Sequence, residues 1–430
     1  MPRTRRNDGT LPGRSGPRRR PAAAAALLLA VTLAAAGPAR AQGEVRALGM
    51  AGALTAAARG LDAVAWNPAN LALDRPRGWE LNLFSFAVDL HNNSFTLDRY
   101  NRYTGAELTD ADKALLLSDI PVEGLVVDAD VHAAVLGLRA GRFALTVQGE
   151  ADGEGVIDKD FFDLVLMGNE IGQSFDFSDT DGDARTYGAV TLSWAAPLHT
   201  TRTHRLSGGV NVRYLHGLYD LRVERAEGGL TVDPDRIHGT AAASYLTAEG
   251  GRGYAVDLGL ALQAPRGWVL GLAVDNVAGS LRWDRRVERH TWWATADSLT
   301  ATTDDPDRYV TSGDSTGAAA AYDDPLPARL RIGAGNRWGN LLFDVDLHRD
   351  LDAGPAGAST DLSLGLEWRA LGWCHPRWGV GFGSRGNRSA VGLGLRLGPV
   401  QWDLAVANHG SLLPRDTRGL AFASGLRLRL

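Results

Sequence analysis

From Trp79 onward the dominant repeat in the sequence is two residues, and that period restricts the folds open to the chain. Trp268, Leu270, Leu272 and Val274 alternate with Val269, Gly271, Ala273 and Asp275; Leu362, Leu364, Leu366 and Trp368 alternate with Ser363, Gly365, Glu367 and Arg369. Trp378, Val380 and Phe382 stand against three glycines, and Val391, Leu393, Leu395 and Leu397 against Gly392, Gly394 and Arg396. Successive side chains of a strand point to opposite faces. Each run therefore has one large apolar face and one small or polar face, the lipid-out, lumen-in pattern of a membrane barrel. A soluble sandwich alternates too, but it turns its large side chains inward and seldom strings together so many long strands.

Link lengths sharpen the reading. Counted back from the C-terminus, strand-like runs fall near 420–430, 400–407, 389–397, 376–384, 361–369, 340–348, 327–337, 267–276, 253–264, 205–217, 185–196, 142–151 and 125–138, with a first one within 79–100. Every second link is short: 139–141, 197–204, 265–266, 338–339, 370–375 and 398–399. The links between them, 101–124, 152–184, 218–252, 277–326, 349–360 and 408–419, are mostly long, with 385–388 the short exception. Short turns on the side of both chain ends and long loops on the other are outer-membrane topology. The expected fold class is all-β: a transmembrane outer-membrane β-barrel of about 14 antiparallel strands, with an N-terminal plug and short helices in extracellular loops. The last run keeps Leu420, Phe422, Leu426, Leu428 and Leu430 in one parity, with Leu430 where such barrels usually end on an aromatic.

The N-terminus reads as an export signal. Residues 3–20 hold seven arginines, 22–36 are small and apolar apart from Thr32, and Ala39-Arg40-Ala41 offers a cleavage site. Residues 1–41 are therefore expected to be a signal peptide, with Sec-dependent export to a Gram-negative outer membrane and insertion by the barrel-assembly machinery. Cleavage takes away eight arginines and one aspartate and moves the formal net charge from −5 to −12, which argues against a nucleic-acid partner. Lys113 and Lys159 are the only lysines; the arginine bias reflects either coding composition or a grip on lipopolysaccharide phosphates in the surrounding lipid. Cys374 is the sole cysteine, so there is neither an intrachain disulfide nor a cysteine metal cluster.

Between signal and first strand lies Ala47 to Leu73, rich in Gly and Ala and cornered at Asn67-Pro68. Small residues let backbones approach closely, so 42–78 reads as a plug inside the barrel formed by 79–430. Its lone Asp62 needs a partner if buried, and an inward arginine such as Arg331 or Arg396 is expected. Thr109 to Asp112 resembles a capping box, and Asp158 caps a run ended by Gly168, so two loops carry helices. Their apolar residues Leu115, Leu116, Phe161, Phe162, Leu164 and Met167 either pack on each other or form an outer-rim site for an apolar ligand. Trp283, Trp292, Trp293 and Tyr309 fall in the longest outer loop, where they suit ligand contact and membrane interface equally.

Gly49-Met50-Ala51-Gly52-Ala53, Asp62-Ala63 and Asn67-Pro68-Ala69-Asn70-Leu71-Ala72 together resemble the start of FadL-like outer-membrane proteins, including their PorV/PorQ-like relatives found with the type IX secretion system. The stretches 361–368, 390–394 and 402–405 look like the closing strands of the PorV-like branch. Ala51 and Asn70 stand where the family motif has Gly. The resemblance implies a fourteen-stranded barrel with a hatch carrying Gly49, Met50, Gly52, Asp62, Asn67, Pro68, Ala69 and Leu71. It also implies one of two functions: passage or binding of a hydrophobic, fatty-acid-like molecule, or docking of a secreted or surface protein.

Asp179 to Asp183 opens like a calcium loop but lacks the Gly and Glu such a loop needs at 184 and 190. Gly381, Gly383 and Gly386 match a dinucleotide fingerprint with no helix after them. Asp344, Asp346 and His348 share the inward face of one strand and are read as lumen polarity. No enzyme, cofactor or metal is expected, because no nucleophile motif and no metal-ligand spacing is present.

Overall fold

The computed structural model describes residues 45–73, 78–299, 309–352, 358–384, 386–411 and 416–429; residues 1–41, where a signal peptide is expected, Leu430 and Arg385 lie outside them. Fourteen antiparallel strands form one closed sheet: β1 Trp79–Asn92, β2 Leu125–Ala140, β3 Phe143–Ile157, β5 Asp181–Thr200, β6 Arg205–Val232, β8 Gly251–Gln263, β9 Val269–Trp283, β13 Arg329–Trp338, β14 Leu341–Asp350, β15 Thr360–Trp368, β16 Cys374–Gly383, β17 Gly386–Leu397, β18 Val400–His409 and β19 Gly419–Arg429. Pairing of β1 with β19, Glu80 opposite Arg429 through His91 opposite Gly419, closes the ring and leaves the barrel no edge. Five shorter strands lie at the long-loop end: β4 Ser174–Asp176, β7 Ile237–Ala248, β10 Glu288–Leu299, β11 Val310–Ala318 and β12 Tyr322–Pro325.

The two faces of the sheet follow the alternation. Phe86, Val131, Leu192, Val212, Leu260, Leu272, Ile332, Leu364, Trp378, Val391, Val406 and Phe422 stand exposed on the outer face of twelve of the fourteen strands. Water does not tolerate a continuous apolar ring of that size, so the outer face is a lipid-facing one. At the short-turn end the exposed rings of Trp79, Phe143, Trp194, Trp338, Trp368 and Trp402 make an aromatic belt, the side chains that settle at a membrane interface. No helix among the described residues is long and apolar enough to cross a membrane.

The long-loop side departs from expectation. Residues 218–252 and 277–326 read as loops, yet β6 runs to Val232, and β7, β10 and β11 continue its sheet beyond the barrel wall. Their sequences hide this because both faces are polar or small: Gly239, Ala241, Ala242 and Ala243 of β7 show no apolar stripe. A fork of two hydrogen bonds, 2.6 and 2.7 Å, from Arg289 to Glu224 spans this extension and holds the Glu224 carboxyl below its usual range. Trp283, expected among outer-loop aromatics, is fully buried with Tyr187, Leu215 and Leu281 in the barrel mouth. Asp181 to Asp183 enter β5 rather than a cation loop, and Gly381 and Gly383 lie in β16, with Gly383 opposite Gly386 at the start of β17.

Among the described residues three helices lie on the long-loop side: α3 Leu97–Tyr103, α4 Asp110–Asp119 and α5 Lys159–Met167. The Thr109–Asp112 capping box is formed, and the Asp158 side chain accepts from the Asp160 amide while Gly168 ends α5 at φ 82°.

Barrel strands β9 and β13 pair directly, Val269 opposite Gly335 through Asp275 opposite Arg329. Replacing residues 286–320 with a short Gly-Ser turn is therefore expected to leave barrel closure intact. Persistence of the fast-migrating folded band in unheated gel samples checks it, and loss of that band contradicts it.

Candidate functional site

A barrel of this strand number encloses more space than its own side chains fill. Residues 45–73 occupy that space. The segment folds into α1 Val45–Leu48, α2 Asp62–Trp66 and a 3-10 turn Pro68–Ala72, and most of its residues are buried. Its partners are inward-facing glycines and alanines on successive strands. A Cβ on Gly392 would meet the Gly49 Cα at 2.9 Å, and one on Gly365 would meet the Met50 Cβ at 2.7 Å. Side chains at Gly209, Gly259 and Gly379 would overlap Pro68, Asn67 and Met50 outright. Glycine is thus required at these positions for close approach.

Polar ties come mostly from strand side chains to the segment's main chain. Asp346 accepts the Leu54 and Thr55 amides, both at 2.7 Å, and Asp344 accepts those of Ala56 and Ala57 at 3.1 and 2.7 Å. Glu80 accepts the Leu61 amide at 2.8 Å. In the other direction, Asn211 donates to the Val64 carbonyl at 2.8 Å, Arg331 to Ala65 at 2.6 Å and Arg388 to Ala51 at 3.1 Å. Hydrogen bonds to charged groups contribute on the order of 1.5–3 kcal/mol each. Together they satisfy main-chain groups of the irregular stretch 51–61 and free carbonyls of the short helix Asp62–Trp66.

A buried ion network anchors the first turn. Arg46 reaches Glu367 at 2.7 Å and Asp62 at 3.4 Å, Arg377 joins Glu367 at 2.8 Å to Asp403 at 2.7 Å, and Arg427 pairs with Asp62. The inward arginine expected beside Asp62 is there, but it is Arg427 rather than the examples Arg331 or Arg396. Arg331 instead meets Asp275 at 2.7 Å and lies over the Trp66 ring at 4.6 Å. Arg46, on the segment itself, and Arg427, on the closing strand, are the cations the fold delivers to Asp62.

The remaining residues singled out in the sequence fall as follows. Gly52, at φ 88°, sits beside Arg388, and Asn67 accepts from the Ala69 amide while donating to the Leu260 carbonyl at 2.9 Å. Pro68, Ala69 and Leu71 are buried, Leu71 in a cluster with Leu61 and Ala195. At the rim, Phe161 and Phe162 pack on Ile120, Leu125 and Ile157, with Leu116 and Leu164 half-buried. Leu115 and Met167 remain exposed, joined by Val122, Val165 and Ile171 on the same helices and their flanks.

Between the segment and the mouth the lumen is polar. A cavity of about 60 Å³ bordered by Leu61, Val64, His132, Gln148, Glu150 and Asp257 lies beside the segment. Sequence reasoning missed two groups. Asp344 and Asp346 grip the segment rather than merely lining the lumen. Asp89, His91 and His409 meet on one inward patch although they come from opposite ends of the chain, so no local spacing could reveal them.

Residues 68–250 match a family of unknown function, DUF5723. No curated protein matches the sequence. Among solved structures, the chain is similar to the Ralstonia pickettii toluene transporter TbuX, at 15% identity and TM-score 0.47 over 93% of this chain and 99% of that one. It is similar to the Pseudomonas putida toluene transporter TodX at 11% identity and TM-score 0.48, covering 92% and 98%. A Pseudomonas aeruginosa FadL homologue gives 13% identity and TM-score 0.46, covering 90% and 97%.

Removing one member of a buried ion pair leaves the other uncompensated, at about 3–5 kcal/mol. Asp62→Ala, and separately Gly379→Leu by overlap, are expected to dislodge residues 45–73, read as their loss of protection from protease in the folded barrel. Unchanged protection in both variants contradicts this account of what holds the segment.

Proposed function

We propose that the chain is a Gram-negative outer-membrane barrel, exported by the Sec route, that receives hydrophobic small molecules at its outer rim and admits them past a hatch formed by the N-terminal segment. The observation that carries this reading is how the segment is held. Strand side chains grip its main chain, about half of its residues are Gly, Ala, Pro or Thr, and the barrel ladder closes without it. A segment bound in this way can leave the lumen without unpairing a strand, as a gate must. Leu115, Met167, Val165 and Ile171 supply an apolar capture surface at the rim. A fatty-acid-like molecule, apolar along its length with one charged end, matches an apolar rim above a lumen that contains Arg185, Arg213 and Arg388. On this reading the barrel-assembly machinery and the surrounding lipopolysaccharide are its further partners.

A second reading, docking of a secreted or surface protein as PorV-like relatives are thought to do, is favoured by the extension. Among the described residues β11 pairs only with β10, which leaves one edge of main-chain groups open to an added strand. Partly exposed Trp292 and Trp293 lie on the neighbouring strand.

Displacement of a fluorescent fatty acid by unlabelled ligand tests the first reading in the detergent-solubilised barrel. Saturable binding is expected, weakened at least tenfold in the double variant Leu115→Ser, Met167→Ser. Absence of saturable binding, or equal binding by the variant, contradicts the rim as a capture site and leaves the docking reading.

A further inference from the structure

Register around the barrel seam places four inward positions in one row. Asp128 of β2 lies opposite His91 of β1, His91 opposite Gly419 of β19, and Gly419 opposite His409 of β18. Gly419 has no side chain, and a Cβ there would overlap His91. The gap lets the two imidazoles stack across the intervening strand, centroids 4.6 Å apart and 11° from parallel. Asp89, two residues before His91 on the same inward face, turns its carboxylate to both rings: Oδ1 lies 3.6 Å from His91 Nδ1 and 2.9 Å from His409 Nε2. All three side chains are buried, and one ligand atom from each falls within 4.8 Å of the others.

Two carboxylates and two imidazoles converge on this patch. His91 Nε2 sits 3.1 Å from Asp128 Oδ2, which leaves Nδ1 on the side of Asp89 and His409. Apart from one another, Asp89 Oδ1, His91 Nδ1 and His409 Nε2 find no hydrogen-bond partner among the described residues. A carboxylate holding the far nitrogen of a histidine is the usual outer-shell arrangement of a metal-ligating imidazole. Ligand atoms around a tetrahedral ion with bonds of about 2.0–2.1 Å lie about 3.3 Å apart, a value bracketed by the separations here.

We propose that Asp89, His91 and His409 bind a divalent first-row transition ion, with water completing its shell and Asp128 positioning His91. Two imidazoles and one carboxylate suit Zn²⁺ and its neighbours rather than Ca²⁺ or Mg²⁺, which take oxygen shells. The ion ties β1 to β18 across β19 and clamps the seam where the first and last strands close the barrel. This site stands independently of the proposed transport or docking role.

The test uses the untagged, full-length barrel in detergent, with Zn²⁺ titrated calorimetrically and Co²⁺ followed by its visible absorption. Wild type is expected to bind one ion per chain and to unfold at higher temperature with Zn²⁺ present. His409→Phe keeps a stacked ring but removes a ligand, and is expected to lose the Co²⁺ band and the thermal shift while still running as a folded barrel. Asp128→Asn is expected to weaken binding about 10–100-fold while retaining stoichiometry. Failure of wild type to bind, or equal binding by wild type and His409→Phe, overturns the proposal and assigns the cluster to a proton shared among buried side chains. Should His409→Phe fail to fold, Asp89→Asn in its place decides by the same Co²⁺ band.

Discussion

The constraint on which the rest of this structure depends is the width of its lumen. A closed sheet of fourteen strands cannot fill its interior with side chains from its own wall. The chain solves this with a segment built to the wall's dimensions. Glycines at 209, 259, 365, 379 and 392 lower the inner surface where residues 45–73 pass, and the segment brings Gly49, Met50, Asn67, Pro68 and Ala69 against them. Glycine on the wall lets the segment's main chain come close at each of these points.

Close approach alone would leave the segment's amides and carbonyls unpaired in a confined space, at a cost for each group. The wall answers with Asp344, Asp346, Glu80, Asn211, Arg331 and Arg388, while Arg46, Asp62, Glu367, Arg377, Asp403 and Arg427 form a charge chain from the segment to β15, β16, β18 and β19. Buried pairs of this kind add little net stability compared with apolar packing, but they fix one seating and penalise others. The segment is therefore held specifically rather than by bulk. That property links the packing to the proposed gating: contacts of this type are lost as a set when the segment shifts, and the sheet's own ladder is untouched.

Much of the barrel was legible because its physics is periodic. Lipid outside and small or polar residues inside leave alternation in every wall strand, and the segregation of short and long links follows from both chain ends lying on one side. The extension was illegible for the same reason: with neither face against lipid or core, β7 and β11 carry no apolar stripe, and residues 218–252 and 277–326 read as loops. The partners of Asp62 were hidden because choosing Arg427 over Arg331 requires knowing where the segment lies across the wall. Asp344 and Asp346 were visible as inward charges, but what they hold is the backbone of another segment, which has no sequence signature. The histidine patch needed both ring closure and strand register, since His91 and His409 become neighbours only across the seam.

The central claim is that residues 45–73 sit inside the closed barrel in this one seating. The most direct test pairs Gly49→Cys with Gly392→Cys in a Cys374→Ser background, where the two main chains touch. Mild oxidation of the folded, detergent-solubilised barrel is predicted to link the two positions nearly completely, and the link should fail to form when the protein is unfolded before oxidation. Absence of a link in the folded barrel, or equal linking in folded and unfolded protein, would contradict the account.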